Sequence, residues 1–322
     1  MSAVRAVVEA GGVAVPRVME RVEALMAERC ASHGPLLARY AGETIAAGGK
    51  RLRPLLVCLA AGVPPPESEE LVRSAVAVEL VHAATLVHDD VLDGAALRRG
   101  RPTVVASGGA RLATATGDLL FAQAFAVLAD GGGGPTDAVR VLARAAAELA
   151  EGELMQRADA WRNDVEVDRY LERCRLKTAV LFRAACELGA LAGDRDADGL
   201  AQFGERIGLA FQILDDVLDV SGPPERTGKP RGADLLDGTA TLPLIIARAR
   251  DPRLAQLDLR ELRTRADAAH VCERIEATGA LEQCRERALV LVDDAKRSLP
   301  ALDHRQRGAL ELVADGVVER YA

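Results

Sequence analysis

The sequence predicts an all-α protein on three observations. Most of the chain repeats its apolar residues at helical spacing. Alternating β-branched and aromatic runs, the mark of strands, are nearly absent. Segments rich in Gly, Pro and Asp, at 61–68, 130–137, 191–199, 221–234 and 250–253, separate long alanine- and leucine-rich blocks that favour helix.

The block at 68–93, SEELVRSAVAVELVHAATLVHDDVLD, predicts the central helix. Ser68 can cap it, and Glu69 and Glu70 suit the positive end of the helix dipole. Beyond them it is apolar nearly all round, as a helix in the middle of a bundle would be. A second block of this kind, GLAQFGERIGLAFQILDDVLDV, covers 199–220. There is no repeat at a fixed period and no composition shift to mark a second domain. The expected organisation is a single domain over 1–322, with 1–34 a peripheral N-terminal helix region.

Composition narrows the function classes. The 322 residues are 49% hydrophobic and 28% charged, an ordinary globular balance. The net charge of −7, with both signs interspersed, argues against nucleic acid as the main partner. The six cysteines (Cys30, Cys58, Cys174, Cys186, Cys272, Cys284) form no CxxC pair and no Cys/His cluster, so a reduced, cytoplasmic protein is expected. No signal peptide is expected, and no apolar run is read as reaching the roughly 18 residues of a membrane span.

Two identical pentapeptides carry the chemistry. Asp89, Asp90 and Asp93 form DDVLD, and Asp215, Asp216 and Asp219 form it again. On a helix, i and i+4 share a face, so Asp89 pairs with Asp93 and Asp215 with Asp219. Each pair closes a long apolar helix, where the dipole is negative and anions repel. Something cationic should join them. Oxygen ligands without His or Cys suit Mg²⁺, which takes one or two carboxylates plus phosphate oxygens and water. The bland alternative is a solvated acidic helix end, and the repetition weighs against it. An EF-hand would need a polar loop with a central Gly and a terminal Glu, which neither stretch has.

The basic residues complement them. GGKRLRP at 48–54 places Lys50, Arg51 and Arg53 after two glycines. Glycines let backbone N–H groups approach a phosphate, and arginine forks match its oxygens. Arg98 and Arg99 follow the first Asp motif, Lys177 sits in an apolar block, and Lys229 follows the second motif. Each alone reads as a solvated cation, except that a buried Lys177 needs a partner. Together they imply more than one phosphorylated substrate. His82, two turns before Asp89, could reach the same cavity, while His88 reads as structural.

The ordered landmarks GGKRLRP, ELVHAATLVHDDVLD, RRGRPT, GDLLFAQAF, EGELMQ, KTA, FQILDDVLD and GKPRGADLLDGTATLPL resemble the trans-isoprenyl diphosphate synthases, or polyprenyl synthetases. The resemblance runs from about residue 35 to the C-terminus and is greatest to the long-chain members. It implies a single-domain bundle of roughly 10–13 helices around a deep central cavity, usually a homodimer. It implies head-to-tail condensation of isopentenyl diphosphate with an allylic diphosphate, using about three Mg²⁺ per active site. Carried over by position, Asp89, Asp93 and Asp215 would hold Mg²⁺, with Asp90, Asp216 and Asp219 supporting. Arg98, Lys177 and Lys229 would bind the allylic diphosphate; Lys50, Arg53, Arg99 and His82 would bind isopentenyl diphosphate. Thr178 and Gln212 would steady the allylic cation. One departure is Thr239, where the family often has a lysine (GKxTLP).

In this family the growing chain passes the residues before the first Asp motif, and aromatics there stop growth. Here those residues are Leu80, Val81, Ala84 and Thr85, none aromatic. The expected product is longer than C20, in the range C30 to C45; a C20 or C15 synthase is the alternative. A class I terpene cyclase would steer its cations with aromatic faces, and this chain has one Trp, three Tyr and five Phe. A non-catalytic regulatory subunit would typically lose its Asp motifs, and both are intact. Any membrane contact is expected to be transient, for product release, since no basic amphipathic stretch announces one.

Overall fold

The computed structural model describes residues 7–8, 10–32, 34–130, 136–222 and 231–319. Helices α1 (Ala14–Ala31), α2 (Pro35–Ala46), α3 (Leu52–Ala61) and α4 (Glu69–Leu92) lead into a hairpin, β1 (Leu97–Arg98) and β2 (Arg101–Pro102). Then come α5 (Val104–Gly108), α6 (Ala110–Ala129), α7 (Thr136–Asp159) and α8 (Val167–Cys174). A π-helical turn (Arg175–Ala179) joins α8 to α9 (Val180–Ala192), and α10 follows (Ala197–Ser221). The remainder is α11 (Ala233–Leu236), α12 (Leu242–Arg248), α13 (Pro252–Ala255), a 3₁₀ turn (Leu259–Glu261), α14 (Arg265–Ala277), α15 (Ala280–Ser298) and α16 (His304–Glu319). The all-α expectation holds, with the hairpin as an addition.

The chain divides into two compact units. The first is Met1–Ala146, Leu181–Gly204 and Ser298–Val313; the second is Ala147–Val180, Glu205–Arg297 and Ala314–Ala322.

In the first unit α4 is the core. Ser68 caps it, its hydroxyl accepting from the Leu71 N–H at 3.2 Å, and Leu71 through Leu80 is buried except for Arg73. Among the described residues two helices, Glu69–Leu92 and Ala110–Ala129, are long and apolar enough to cross a membrane by length and composition. This corrects the expectation that no apolar run reaches that length. For α4 the apolarity has a packing reason, since 72% of its most apolar window is buried inside the protein.

Glycines let neighbouring helices approach. A Cβ on Gly117 of α6 would lie 2.3 Å from His88 Nε2 of α4, so the glycine makes room for the imidazole. His88 also sits 3.3 Å from Asp118 and stacks on Phe121, in keeping with a structural histidine. Gln306 of α16, fully buried, donates from its amide nitrogen to the carbonyls of Leu59 (2.9 Å) and Ala60 (3.0 Å). Those are among the last four carbonyls of α3, and Leu59 also accepts from the Gly62 N–H at 3.2 Å. All six cysteines are buried free thiols.

In the second unit a buried carboxylate organises the polar interior. Asp159, fully buried, accepts from Arg169 at 2.5 Å and Arg173 at 3.2 Å. Arg173 also donates to the Ala240 carbonyl at 2.6 Å. Trp161 lies in the left-handed region (φ 65°), donates its N–H to the Gly238 carbonyl at 2.8 Å, and leaves no room for a side chain on Gly238.

The tight helix packing gives a prediction. A Cβ on Gly189 of α9 would lie 2.2 Å from the Val57 carbonyl oxygen of α3. Helix propensity favours alanine by about 1 kcal/mol, but a backbone carbonyl cannot rotate away. Gly189→Ala should therefore lower stability by about 1–3 kcal/mol, measured by urea unfolding.

Candidate active site

At the end of α4, Asp89 is half-buried and Asp93 is exposed. Asp93 is the C-cap residue, and its N–H still donates to the Asp89 carbonyl at 2.9 Å, which preserves the i, i+4 relation. Asp90 turns the other way. It is 5% exposed, and its carboxylate accepts from Arg98 at 2.8 Å. The hairpin brings Arg98 back: Arg99 (φ 52°) and Gly100 (φ 74°) both take positive φ, as a tight two-residue turn requires. Arg98 thus offsets the anionic charge gathered at a helix C-terminus.

Two to three turns earlier the same helix meets a crowd of cations. Arg51, at the N-cap of α3 in the left-handed region (φ 46°), points inward. It donates to Glu23 at 2.6 Å, to Glu79 of α4 at 2.9 Å and to the Ile45 carbonyl at 2.8 Å. Glu79 is 5% exposed, so this pair fixes the loop against the core helix. Among the described residues no carboxylate forms a salt bridge with Arg53. Its guanidinium lies 4.7 Å from the centre of the Phe182 ring, and its Nε is buried without a hydrogen-bond partner. Burial and then the neighbouring Arg99 push its pKa down to about 10, against the pull of Glu79. Arg99 packs against Gly49, where a Cβ would lie 3.0 Å from its guanidinium. His82 is held well below the usual imidazole value, by burial first and then by Arg53, Arg99, Arg98 and Arg51. Four arginines and a neutral histidine therefore share one locality. Lys50 stands exposed beside them in sequence.

The second unit holds the other motif. Asp215 is exposed and Asp219 half-buried, its carboxylate accepting from the Asp234 N–H at 3.3 Å. Asp216 turns inward, 3% exposed. It accepts from the Tyr170 hydroxyl at 2.7 Å and from Gln212 Nε2 at 2.7 Å. Burial and then Asp234 push its carboxyl well above the usual range, against these hydrogen bonds. Gln212 in turn accepts from the Thr178 hydroxyl at 2.6 Å. The relay Thr178–Gln212–Asp216–Tyr170 fixes each amide and hydroxyl in one orientation. Lys177 finds the partner it needed, Glu153 of α7, at 2.6 Å. Burial opposes ionisation of Glu153, yet Lys177 and Arg157 hold its pKa below the usual value. Lys229 lies outside the described residues.

The donor set suits Mg²⁺. Each helix end offers carboxylate oxygens in pairs, and among the described residues no group of three or more His, Cys, Asp or Glu forms a ready-made site. Mg²⁺ would need no more than that, since it usually takes one or two carboxylates and leaves its other positions to phosphate oxygens and water. Of the residues before the first motif, Leu80, Val81 and Ala84 are fully buried, and Thr85 donates its hydroxyl to the His82 carbonyl at 2.8 Å. Sequence reasoning missed Glu79, Glu153 and Tyr170. Glu79 had a signal, a lone acid inside an apolar helix; Tyr170 had none.

Paired carboxylates at apolar helix ends and a crowded cationic locality define an all-α enzyme built to handle diphosphates, and comparison with known proteins agrees. The family described as polyprenyl synthetase matches residues 35–277. Heptaprenyl diphosphate synthase component 2 of Geobacillus stearothermophilus is 46% identical over 67% of each chain. Solanesyl diphosphate synthase 1 of Arabidopsis thaliana is 35% identical over 87% of this chain and 71% of that one. The crystal structure of polyprenyl synthase from Caulobacter crescentus, complexed with calcium and isoprenyl diphosphate, superimposes with a TM-score of 0.90. It is 37% identical and covers 98% of both chains. The chain belongs to the polyprenyl synthetase family, as a trans-polyprenyl diphosphate synthase.

His82 yields a pH prediction. Its folded pKa lies below the unfolded value near 6.5, so between the two the unfolded chain binds more protons. The stability is intact above pH 6.5 and is lost as pH falls below it. Unfolding free energy should fall between pH 7 and 5.5 more steeply for the wild type than for His82→Gln, by up to about 1 kcal/mol per pH unit. Equal slopes in urea unfolding would contradict this.

Proposed function

We propose that this enzyme condenses isopentenyl diphosphate head-to-tail with an allylic diphosphate, using Mg²⁺, to give an all-trans polyprenyl diphosphate longer than C20, in the range C30 to C45. The observation that carries the substrate assignment is the locality of Arg53, Arg98, Arg99 and His82, where a buried guanidinium nitrogen lacks a partner. An anionic group would satisfy that nitrogen and offset the positive charge around it. Lys50, Arg53, Arg99 and His82 bind isopentenyl diphosphate; Arg98, Lys177 and Lys229 bind the allylic diphosphate. Asp89 and Asp93 of the first unit and Asp215 of the second are the metal-holding residues, with Asp219 in a supporting role.

Asp90 and Asp216 serve through protein partners instead. Asp90 places Arg98, and Asp216 orients Gln212. Bound Mg²⁺ supplies the positive charge that lets the diphosphate depart. The allylic C–O bond breaks and its electron pair leaves with the diphosphate. The π electrons of isopentenyl diphosphate form the new C–C bond, and a proton passes to the departed diphosphate. Thr178, whose hydroxyl donates its hydrogen bond to Gln212 Oε1, keeps its oxygen lone pairs for the allylic cation.

Product length rests on Leu80, Val81, Ala84 and Thr85, none of which sets an aromatic floor. Heptaprenyl and solanesyl synthases among the relatives, and a decaprenyl synthase among the similar structures, support a long product. A geranylgeranyl diphosphate synthase from Methanosarcina mazei, 36% identical, keeps the C20 alternative in view. We also propose a homodimer in the cytoplasm. Helix α6 supports it, with half-buried Leu119, Phe121 and Phe125 and only Arg111 and Asp118 charged. The word component in the name of the Geobacillus relative favours a second arrangement, in which the chain works with a different subunit.

Purified protein given farnesyl diphosphate, excess isopentenyl diphosphate and Mg²⁺ should yield products beyond C20 by mass spectrometry. Arrest at C15 or C20 would contradict the length. Asp89→Ala should lower turnover by at least about 10²-fold; unchanged turnover would contradict the catalytic assignment. Gel filtration with the assay separates the two assemblies: an active dimer of this chain alone supports the first, and inactivity relieved by a second subunit the other.

A further inference from the structure

The π-turn Arg175–Ala179 presents Lys177 and Thr178 on consecutive positions, and α7 grips it at three points. Glu148 pairs with Arg175 at 2.9 Å, and Glu172 holds the same guanidinium from the other side at 2.8 Å. Gly152, one turn further along, meets the backbone of the π-turn itself. A Cβ there would lie 2.7 Å from the Lys177 backbone nitrogen and 2.9 Å from the Leu176 carbonyl carbon. Glu153, the next residue, pairs with Lys177 Nζ at 2.6 Å.

We infer that Gly152 and Glu153 are positioning residues that seat the π-turn and so set the reach of Lys177 and the Thr178–Gln212 contact. The inference rests on the substrate roles proposed above for Lys177 and Thr178. A π-turn carries one residue more than an α-helical turn, widens the helix locally and is rarely stable unaided. Here a neighbouring helix supports it. The atoms that Gly152 faces are backbone, which cannot rotate away as a side-chain tip can. Ordinary contact begins at 3.4 Å, so any side chain at 152 must push α7 and the turn apart by several tenths of an ångström. Glycine in mid-helix costs about 1 kcal/mol relative to alanine, a cost that close approach explains. Glu153 then restrains a long, flexible ammonium. Its own ionisation is secured by Lys177 and Arg157.

The test is Gly152→Ala in the full-length enzyme, with kcat and both KM values measured on farnesyl and isopentenyl diphosphates. The expected result is a kcat lowered by about 10- to 100-fold, since a displacement near 1 Å can cost that much. The KM for isopentenyl diphosphate should stay within about twofold. In a Thr178→Ala background the same substitution should cost far less, because both changes act through one turn. A kcat within twofold of wild type would overturn the inference. So would an equal loss with and without Thr178→Ala, which marks general damage.

If Gly152→Ala fails to fold by circular dichroism, Glu153→Gln decides. It should raise the KM for the allylic diphosphate about tenfold and leave that for isopentenyl diphosphate unchanged; no change in either overturns the inference. A wild type without turnover on prenyl diphosphates overturns the proposed function, and this inference with it. An active wild type with unaffected variants overturns this inference alone.

Discussion

Like charges repel, and this chain concentrates them along one helix. Along its buried length and at its C-cap, helix α4 carries Glu79, His82, Asp89, Asp90 and Asp93 among mostly apolar residues. The surrounding structure sorts these charges into two kinds. Some are neutralised by the protein itself: Glu79 by Arg51, Asp90 by Arg98. His82 instead faces cations from the neighbouring elements, among them Arg53, which burial and the nearby Arg99 bring down to about 10 against the pull of Glu79. A protein tolerates such crowding when a ligand of opposite charge completes it. The same sorting recurs in the second unit, where Asp216 is taken up by Tyr170 and Gln212 while Asp215 is exposed.

Much of this was legible in the sequence. Ser68 announced the start of α4, and the DDVLD spacing announced which carboxylates share a face. The unease of a lysine in an apolar block pointed to a partner, and Glu153 is that partner. The inward turn of Asp90 and Asp216 was not legible. The pentapeptide reads the same at both sites, and only the neighbours (Arg98 in one case, Tyr170 in the other) decide which oxygens are occupied. The β-hairpin escaped because two-residue strands are too short to alternate. The π-turn escaped because an i→i+5 register has no sequence pattern of its own. Membrane-length apolarity in α4 and α6 was under-read, since scattered charges interrupt both helices without lowering their mean hydropathy enough.

Thr239 illustrates how a departure can be local. A threonine replaces the lysine common at this corner of the family, yet the corner is well held. Arg173 ties the Ala240 carbonyl to buried Asp159, Trp161 packs on Gly238, and the Thr239 N–H donates to the Asp234 carbonyl at 2.8 Å. Backbone contacts thus fix the loop independently of the side chain at 239. The side chain at 239 can then differ without disturbing the loop.

The central claim is that the Arg53, Arg99 and His82 locality is built for a diphosphate. Calorimetric titration of isopentenyl diphosphate into the wild type and into Arg53→Met, which keeps the bulk against Phe182 and removes the charge, tests it most directly. The wild type should bind, and the variant should bind at least about tenfold more weakly, as loss of a charged hydrogen bond requires. Equal affinity in the two proteins, or no binding to the wild type, would contradict the claim.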